Sequence, residues 1–261
     1  METKFKGASQ SYVRKELIFT HLLIILKISN LILNSKIWKQ ESSINYMGKV
    51  RNIIFDFDGT LADTSKLIVA TMQKSIRDYG LPFKNEEQIK STIGVRLEEI
   101  PAILWPSFKN VGKPFAKIYR KNFEELKDKI AIELFHGVNE TLGKLKDEGY
   151  QMAVATSRSH KSVEELTKEL RIRDCFVYLL GGDDVSEGKP HPESIYKILK
   201  ERDWNKEETI MIGDMGVDIK MGKNAGIKTC GVTYGNGKVL ELEGAGADYV
   251  IPCFQDLLTI I

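Results

Sequence analysis

The chain has 261 residues, 38 of them Lys or Arg and 36 Asp or Glu, for a formal charge of +2. That length allows one large domain or two smaller ones, and the balanced charge, with no basic tract after residue 50, gives nucleic-acid binding no electrostatic support. Three cysteines without disulfide or ligand spacing fit a reducing, cytoplasmic setting, and four scattered histidines offer no zinc pattern.

Residues 1–49 differ from the rest. Leu17 to Leu33 is rich in Leu and Ile, but Thr20, His21, Lys27, Ser29 and Asn30 interrupt it. A spanning helix needs about 20 mainly apolar residues, and Ser35-Lys36-Ile37-Trp38 makes a poor signal-peptide cleavage site. Three readings stand: an amphipathic extension, a weak membrane anchor, or translated upstream sequence with the natural start at Met47. The last is favoured because Met47 stands just before the first strand. The segment is set outside the fold, and no membrane partner is expected.

Val50, Ile53, Ile54 and Phe55 then form a short apolar run that reads as a buried strand. Asp56 and Asp58 follow two positions apart, with Gly59 next. Residues i and i+2 of a strand point to one side, so the two carboxylates emerge together where the strand ends. They repel unless a cation or proton lies between them, which suits a hard divalent ion such as Mg2+. An ordinary Asp-Gly turn is the competing reading of this stretch alone.

Residues 62–129 read as helical. Leu67, Ala70, Met72, Ile76 and Tyr79 recur near helical spacing until Gly80 and Pro82. Asn85 caps a second helix with Gln88 at the capping-box position. Gly94, Pro101 and Pro106 break the next portion, and Phe115 to Leu126 forms another helix. No strand is expected in this block, which has the size of an inserted cap domain. From Ile130 helices and strands alternate, with strands at Gln151–Ala155, Phe176–Leu180, Thr209–Ile212 and Asp248–Ile251. Such alternation indicates a doubly wound parallel α/β sheet. The domains are therefore 1–49 outside the core, 50–61 with 130–261 as the core, and 62–129 as the helical cap.

In such sheets ligands bind beyond the carboxyl ends of the strands, and the polar residues collect there: Asp56 and Asp58, then Thr156 and Ser157, then Asp183 with Lys189, then Asp214 and Asp218. Asp56 can attack phosphorus and form an aspartyl phosphate. Asp58 can protonate the leaving oxygen and later activate water. Asp214 can complete a metal site with Asp56 and Asp58. Asp218 can hold a metal-bound water or orient Lys189, and Asp183 can give support. Thr156, Ser157 and Lys189 can bind phosphate. Singly, each has a plain alternative as a cap, a turn or a solvated loop residue; together, at four strand ends, they point to a site.

Asp56-Phe57-Asp58-Gly59-Thr60, Thr156-Ser157, Lys189-Pro190 and Gly213-Asp214-Met215-Gly216-Val217-Asp218 together resemble the four motifs of the haloacid dehalogenase-like (HAD) hydrolase superfamily. The resemblance runs from about residue 50 to the end and implies a Rossmann-like core with an α-helical cap. Gly181 to Asp184, Lys189 to Pro192 and Gly222 to Gly226 are most similar to phosphoglycolate phosphatases. Met215 departs from the threonine or serine usual there. The resemblance implies Mg2+-dependent hydrolysis of a small phosphorylated metabolite by a monomer or homodimer. The family's dehalogenases lack the second aspartate, so Asp58 argues against carbon–halogen cleavage. A sugar phosphomutase of the β-phosphoglucomutase type and an inorganic pyrophosphatase are the alternatives. Arg96 keeps the phosphomutase open as a second phosphate ligand; a surface pairing of Arg96 with Glu99 is favoured over that role.

Overall fold

Ile53, Ile54 and Phe55 expose no surface at all, because the first strand, β1 (Asn52–Phe55), is covered on both faces. The computed structural model describes residues 50–261, within the compact unit Gly48–Ile261. The Leu17–Leu33 run and the Met47 start lie outside the described residues. After β1 come β2 (Ala62–Asp63), α1 (Ser65–Tyr79), α2 (Glu86–Lys90), α3 (Ile100–Leu104), α4 (Gly112–Leu126) and β3 (Glu133–Leu134). The chain then alternates through α5 (Val138–Asp147), β4 (Gln151–Ala155), α6 (His160–Glu169), β5 (Tyr178–Leu180) and α7 (Glu193–Arg202). It closes with β6 (Thr209–Gly213), α8 (Gly216–Ala225), β7 (Lys228–Val232), α9 (Val239–Gly244) and β8 (Tyr249–Ile251).

Six strands form one parallel sheet in the order β5-β4-β1-β6-β7-β8. β1 lies at its centre, with Ile53 beside Met152 of β4 and Ile210 of β6. The chain moves outward from β1 through β4 to β5, then crosses back to β6. This reversal opens a crevice at the carboxyl ends of β4, β1 and β6, where ligands bind in open α/β sheets. Successive residues of β1 face opposite sides. Ile54 packs with Ala153, Ile195, Ile198, Met211 and Met221, while the Phe55 ring meets Phe176 and Phe254. Each such side chain contributes roughly 1.5–3 kcal/mol over an exposed one. The expected doubly wound parallel sheet is present.

The helical block has its own apolar cluster, built from Met72, Ile76, Ile89, Leu104, Trp105 and Phe115. The indole of Trp105 donates to Pro82 O at 2.9 Å. Asn85 and Gln88 form the expected reciprocal cap, at 2.9 and 3.1 Å. Ala62 departs from expectation, because it lies in β2 rather than at a helix start. β2 pairs antiparallel with β3, Ala62 opposite Leu134, so the chain enters and leaves the block side by side. A two-residue strand carries no periodicity to read. Pro101 does not break a helix but sits in the first turn of α3, where its missing N–H is no loss. β5 starts at Tyr178, because Phe176 closes the 3-10 turn Arg173–Cys175. Among the described residues no helix is long and apolar enough to cross a membrane.

Candidate active site

Asp56 follows β1 directly and is 2% exposed. Its N–H donates to Ile212 O at 2.9 Å, which continues the ladder to β6. Lys189, from the loop after β5, donates to Asp56 Oδ1 and, at 2.8 Å, to Asp218 Oδ1. All three side chains are buried. Burial raises the Asp56 pKa well above the ordinary carboxylate value. The Lys189 charge opposes that rise, and Asp218, Asp214 and Asp58 add to it. Burial works against the Lys189 ammonium, yet Asp218 and Asp56 hold its pKa above the usual lysine value. Among the described residues no donor reaches Asp56 Oδ2, so one oxygen is fixed and the other is free to react.

Asp214 directly follows β6 and has no exposure. Thr60 Oγ1 donates to its Oδ1 at 3.2 Å, and the Asn236 amide and side chain donate to its Oδ2 at 2.7 and 3.1 Å. Tyr234 OH in turn donates to Thr60 O at 2.8 Å. The loop holding Tyr234 and Asn236 therefore wraps the carboxylate. Gly59 is required beside it: its φ is +87°, and a Cβ there would lie 2.1 Å from Asp214 Oδ2. Asp218 orients Lys189, as one of its expected roles had it, and its Oδ2 accepts from Met215 N at 3.0 Å at the start of α8. Met215 supplies that amide with its side chain buried, so the hydroxyl usual at this position is not needed for the cap.

Oxygens of Asp56, Asp214 and Asp218 lie within 4.8 Å of one another. Three buried carboxylates face a single ammonium, and the donors are all oxygen. That set fits a small hard cation and is unsuited to zinc. The Asp58 side chain is not in this group. β1 ends at Phe55, so the same-side rule for strands stops applying before Asp58, and its Oδ1 turns to Thr64 Oγ1 and Arg158.

Arg158 received no role from the sequence. Its Nε and Nη2 donate to Asp58 Oδ1 at 2.9 and 2.7 Å. Burial opposes its charge, but Asp58 more than compensates and its pKa lies above the usual arginine value. The one signal available was a cation directly after the strand-end hydroxyls. Thr60 stood within the first motif without a role of its own, and Thr64, Tyr234 and Asn236 carried no signal, since hydroxyl and amide residues near turns are common.

The remaining expected residues divide. Thr156 is buried at the end of β4, and its Oγ1 accepts from Arg158 N at 3.2 Å, leaving the hydroxyl proton available. Ser157 Oγ donates to Gly94 O of the helical block at 2.6 Å, so its hydroxyl is committed there. Asp183 takes the His160 N–H at 2.6 Å, at the start of α6, and touches none of the site's polar groups. Arg96 neither pairs with Glu99 nor lies free for a phosphate. Its Nη1 donates to Ser186 O at 2.6 Å, and its Nη2 to Gly182 O and Val185 O at 2.8 and 2.6 Å. An open cleft of about 720 Å³ lies between Glu86, Lys90 and Ser91 of the helical block and Met215, Asn236 and Lys238 of the core.

A parallel sheet whose strand ends gather buried acids around one lysine has the parts that phosphoryl transfer requires. Comparison with known proteins agrees. The family model for haloacid dehalogenase-like hydrolases matches residues 53–232, and the chain belongs to that family. Pyrophosphatase PpaX of Bacillus mycoides is 31% identical over 217 residues, spanning 82% of this chain and 97% of that protein. Phosphoglycolate phosphatase of Salmonella typhi is 31% identical over 240 residues, 82% of this chain and 94% of the relative. A haloacid dehalogenase-like protein of Bacteroides fragilis superposes with a TM-score of 0.76 at 28% identity, covering 80% of this chain and all of its own. The protein is a hydrolase of this family, and its relatives are named as phosphatases.

Proposed function

We propose that the protein hydrolyses a small phosphate monoester, such as 2-phosphoglycolate, with Mg2+ and through an aspartyl phosphate on Asp56. The observation that carries this reading is the pairing at Asp56: Lys189, itself held by Asp218, donates to Oδ1, and among the described residues no donor reaches Oδ2. A buried carboxylate with one anchored and one open oxygen is set to attack in line. Thr156 and Lys189 bind the transferring phosphoryl group. Asp58 protonates the leaving oxygen, then takes the proton of the water that cleaves the acyl phosphate. Asp56 and Asp214, with Asp218 beside them, would hold Mg2+. When bound, the ion neutralises charge on the phosphoryl oxygens. The block 62–129 acts as a cap over the crevice, and its cleft face selects the ester.

A second substrate, inorganic pyrophosphate, is favoured by one observation, the likeness to a protein named as a pyrophosphatase. The phosphomutase reading loses its support, because Arg96 is committed to three carbonyls. Turnover of 2-phosphoglycolate, other esters and pyrophosphate, with and without Mg2+, separates the substrates. The mechanism is tested by mass spectrometry of Asp56→Asn and Asp58→Asn quenched during turnover of p-nitrophenyl phosphate. That leaving group needs little protonation, so Asp58→Asn should accumulate a phosphoryl adduct on Asp56 while Asp56→Asn carries none. An adduct on any other residue of Asp56→Asn would show that the nucleophile lies elsewhere.

A further inference from the structure

Asp58 offers two oxygens, and the protein treats them differently. Oδ1 accepts from Thr64 Oγ1 and from Arg158 Nε and Nη2, at 2.9 and 2.7 Å for the two guanidinium bonds. Among the described residues no donor reaches Oδ2. Arg158 is itself held firmly. Its side chain is 10% exposed, and its Nη1 donates to Ser162 Oγ at 3.2 Å. Its guanidinium lies over the rings of Phe57 at 5.8 Å and Phe123 at 5.1 Å. Phe123 belongs to α4 of the cap, whereas Phe57 and Arg158 follow strands of the core. The arginine is thus sandwiched between the two parts of the molecule.

We infer that Arg158 is a positioning residue for Asp58: it clamps Oδ1, so that Oδ2 alone handles the proton of the leaving group and of water. The inference rests on the acid/base role proposed for Asp58. A carboxylate held at one corner loses the freedom to turn its second oxygen away, and proton transfer depends steeply on such aim. Arginine suits the task because its planar fork places two N–H groups on one acceptor at a fixed angle, which an ammonium does not. Phe123 makes the aim depend on cap packing, because without the ring one face of the guanidinium is open.

The test is a leaving-group series, from p-nitrophenyl phosphate to alkyl phosphates, measured as kcat and KM for the wild type, Asp58→Asn, Arg158→Lys and Thr64→Val. Arg158→Lys keeps the charge and one donor, and Thr64→Val removes a different donor from the same oxygen, so a folding defect in one leaves the other informative. Arg158→Lys should lose about 10–100-fold on alkyl phosphates and under about 3-fold on p-nitrophenyl phosphate in kcat/KM, which reports phosphoryl transfer to Asp56 and not the later hydrolysis. Thr64→Val should follow the same slope with a smaller loss, and Asp58→Asn should show the steepest slope. An equal loss of kcat/KM across the series overturns the inference while leaving the role of Asp58 intact. A flat series for Asp58→Asn removes the acid/base reading itself, and the inference with it.

Discussion

Asp214 shows how a single carboxylate is caught between opposing demands. Burial, then the charge of Asp218, pushes its pKa up to about 7, while bonds from Asn236 and Thr60 pull it down. The folded state therefore keeps a proton that the unfolded chain releases at the ordinary value of 3.8. Where the unfolded chain binds fewer protons, stability falls as pH rises. Without metal the protein should lose stability progressively between about pH 4 and about pH 7, by on the order of 4 kcal/mol at most for this group. Asp56, also raised by burial, acts with the same sign. Thermal unfolding in a chelator across this range checks it: the midpoint should fall with pH in the wild type and fall less in Asp214→Asn. Added Mg2+ should raise the midpoint more at the upper end, because ion and proton compete for the same oxygens. A midpoint that rises through this window in the wild type would contradict the assignment.

At the scale of elements, the loop between α2 and α3 is strapped to two strand-end loops at once. Gly94 O takes the Ser157 hydroxyl, and Arg96 reaches three carbonyls of the segment 182–186. That segment leads straight into Lys189, and a Cβ on Gly188 would lie 2.8 Å from Arg96 Cδ. The helical block and the loop that carries Lys189 are thereby tied together. Arg96→Ala leaves three carbonyls to water and should lower stability by about 1–3 kcal/mol. Arg96→Lys should recover only part, since one ammonium cannot span three acceptors. Chemical denaturation reads the first effect. Amide hydrogen exchange should speed up across 182–188 while β1 stays protected, because the strand owes nothing to this contact.

At the scale of the molecule, the parallel sheet and the helical block account for the whole of the family match. The 82% of the chain aligned with the pyrophosphatase relative covers 97% of that protein. A chain shortened to Met47–Ile261 should therefore fold, with a thermal midpoint and kcat/KM within about twofold of the full chain. Loss of solubility or of activity on shortening would show that residues 1–46 pack on the core.

The amino-acid sequence by itself determined the central strand, the parallel sheet and the strand-end acids. Apolar runs and helical spacing are local properties, and Asp56 and Asp214 stand directly after the strands that carry them, with Lys189 in the loop after β5. It offered Asp218 either as a partner of Lys189 or as the holder of a metal-bound water, and the fold brings it to Lys189. Tertiary structure alone decided where each carboxylate turns. Asp58 left the metal-facing group for Arg158 because strand geometry ends at Phe55. It also decided that Ser157 and Arg96 strap the cap, and that Asn236 and Tyr234 close around Asp214 and Thr60. Those contacts join residues far apart in the chain, and a hydroxyl, an amide or a guanidinium carries no mark of its partner until the fold brings the two within hydrogen-bonding reach.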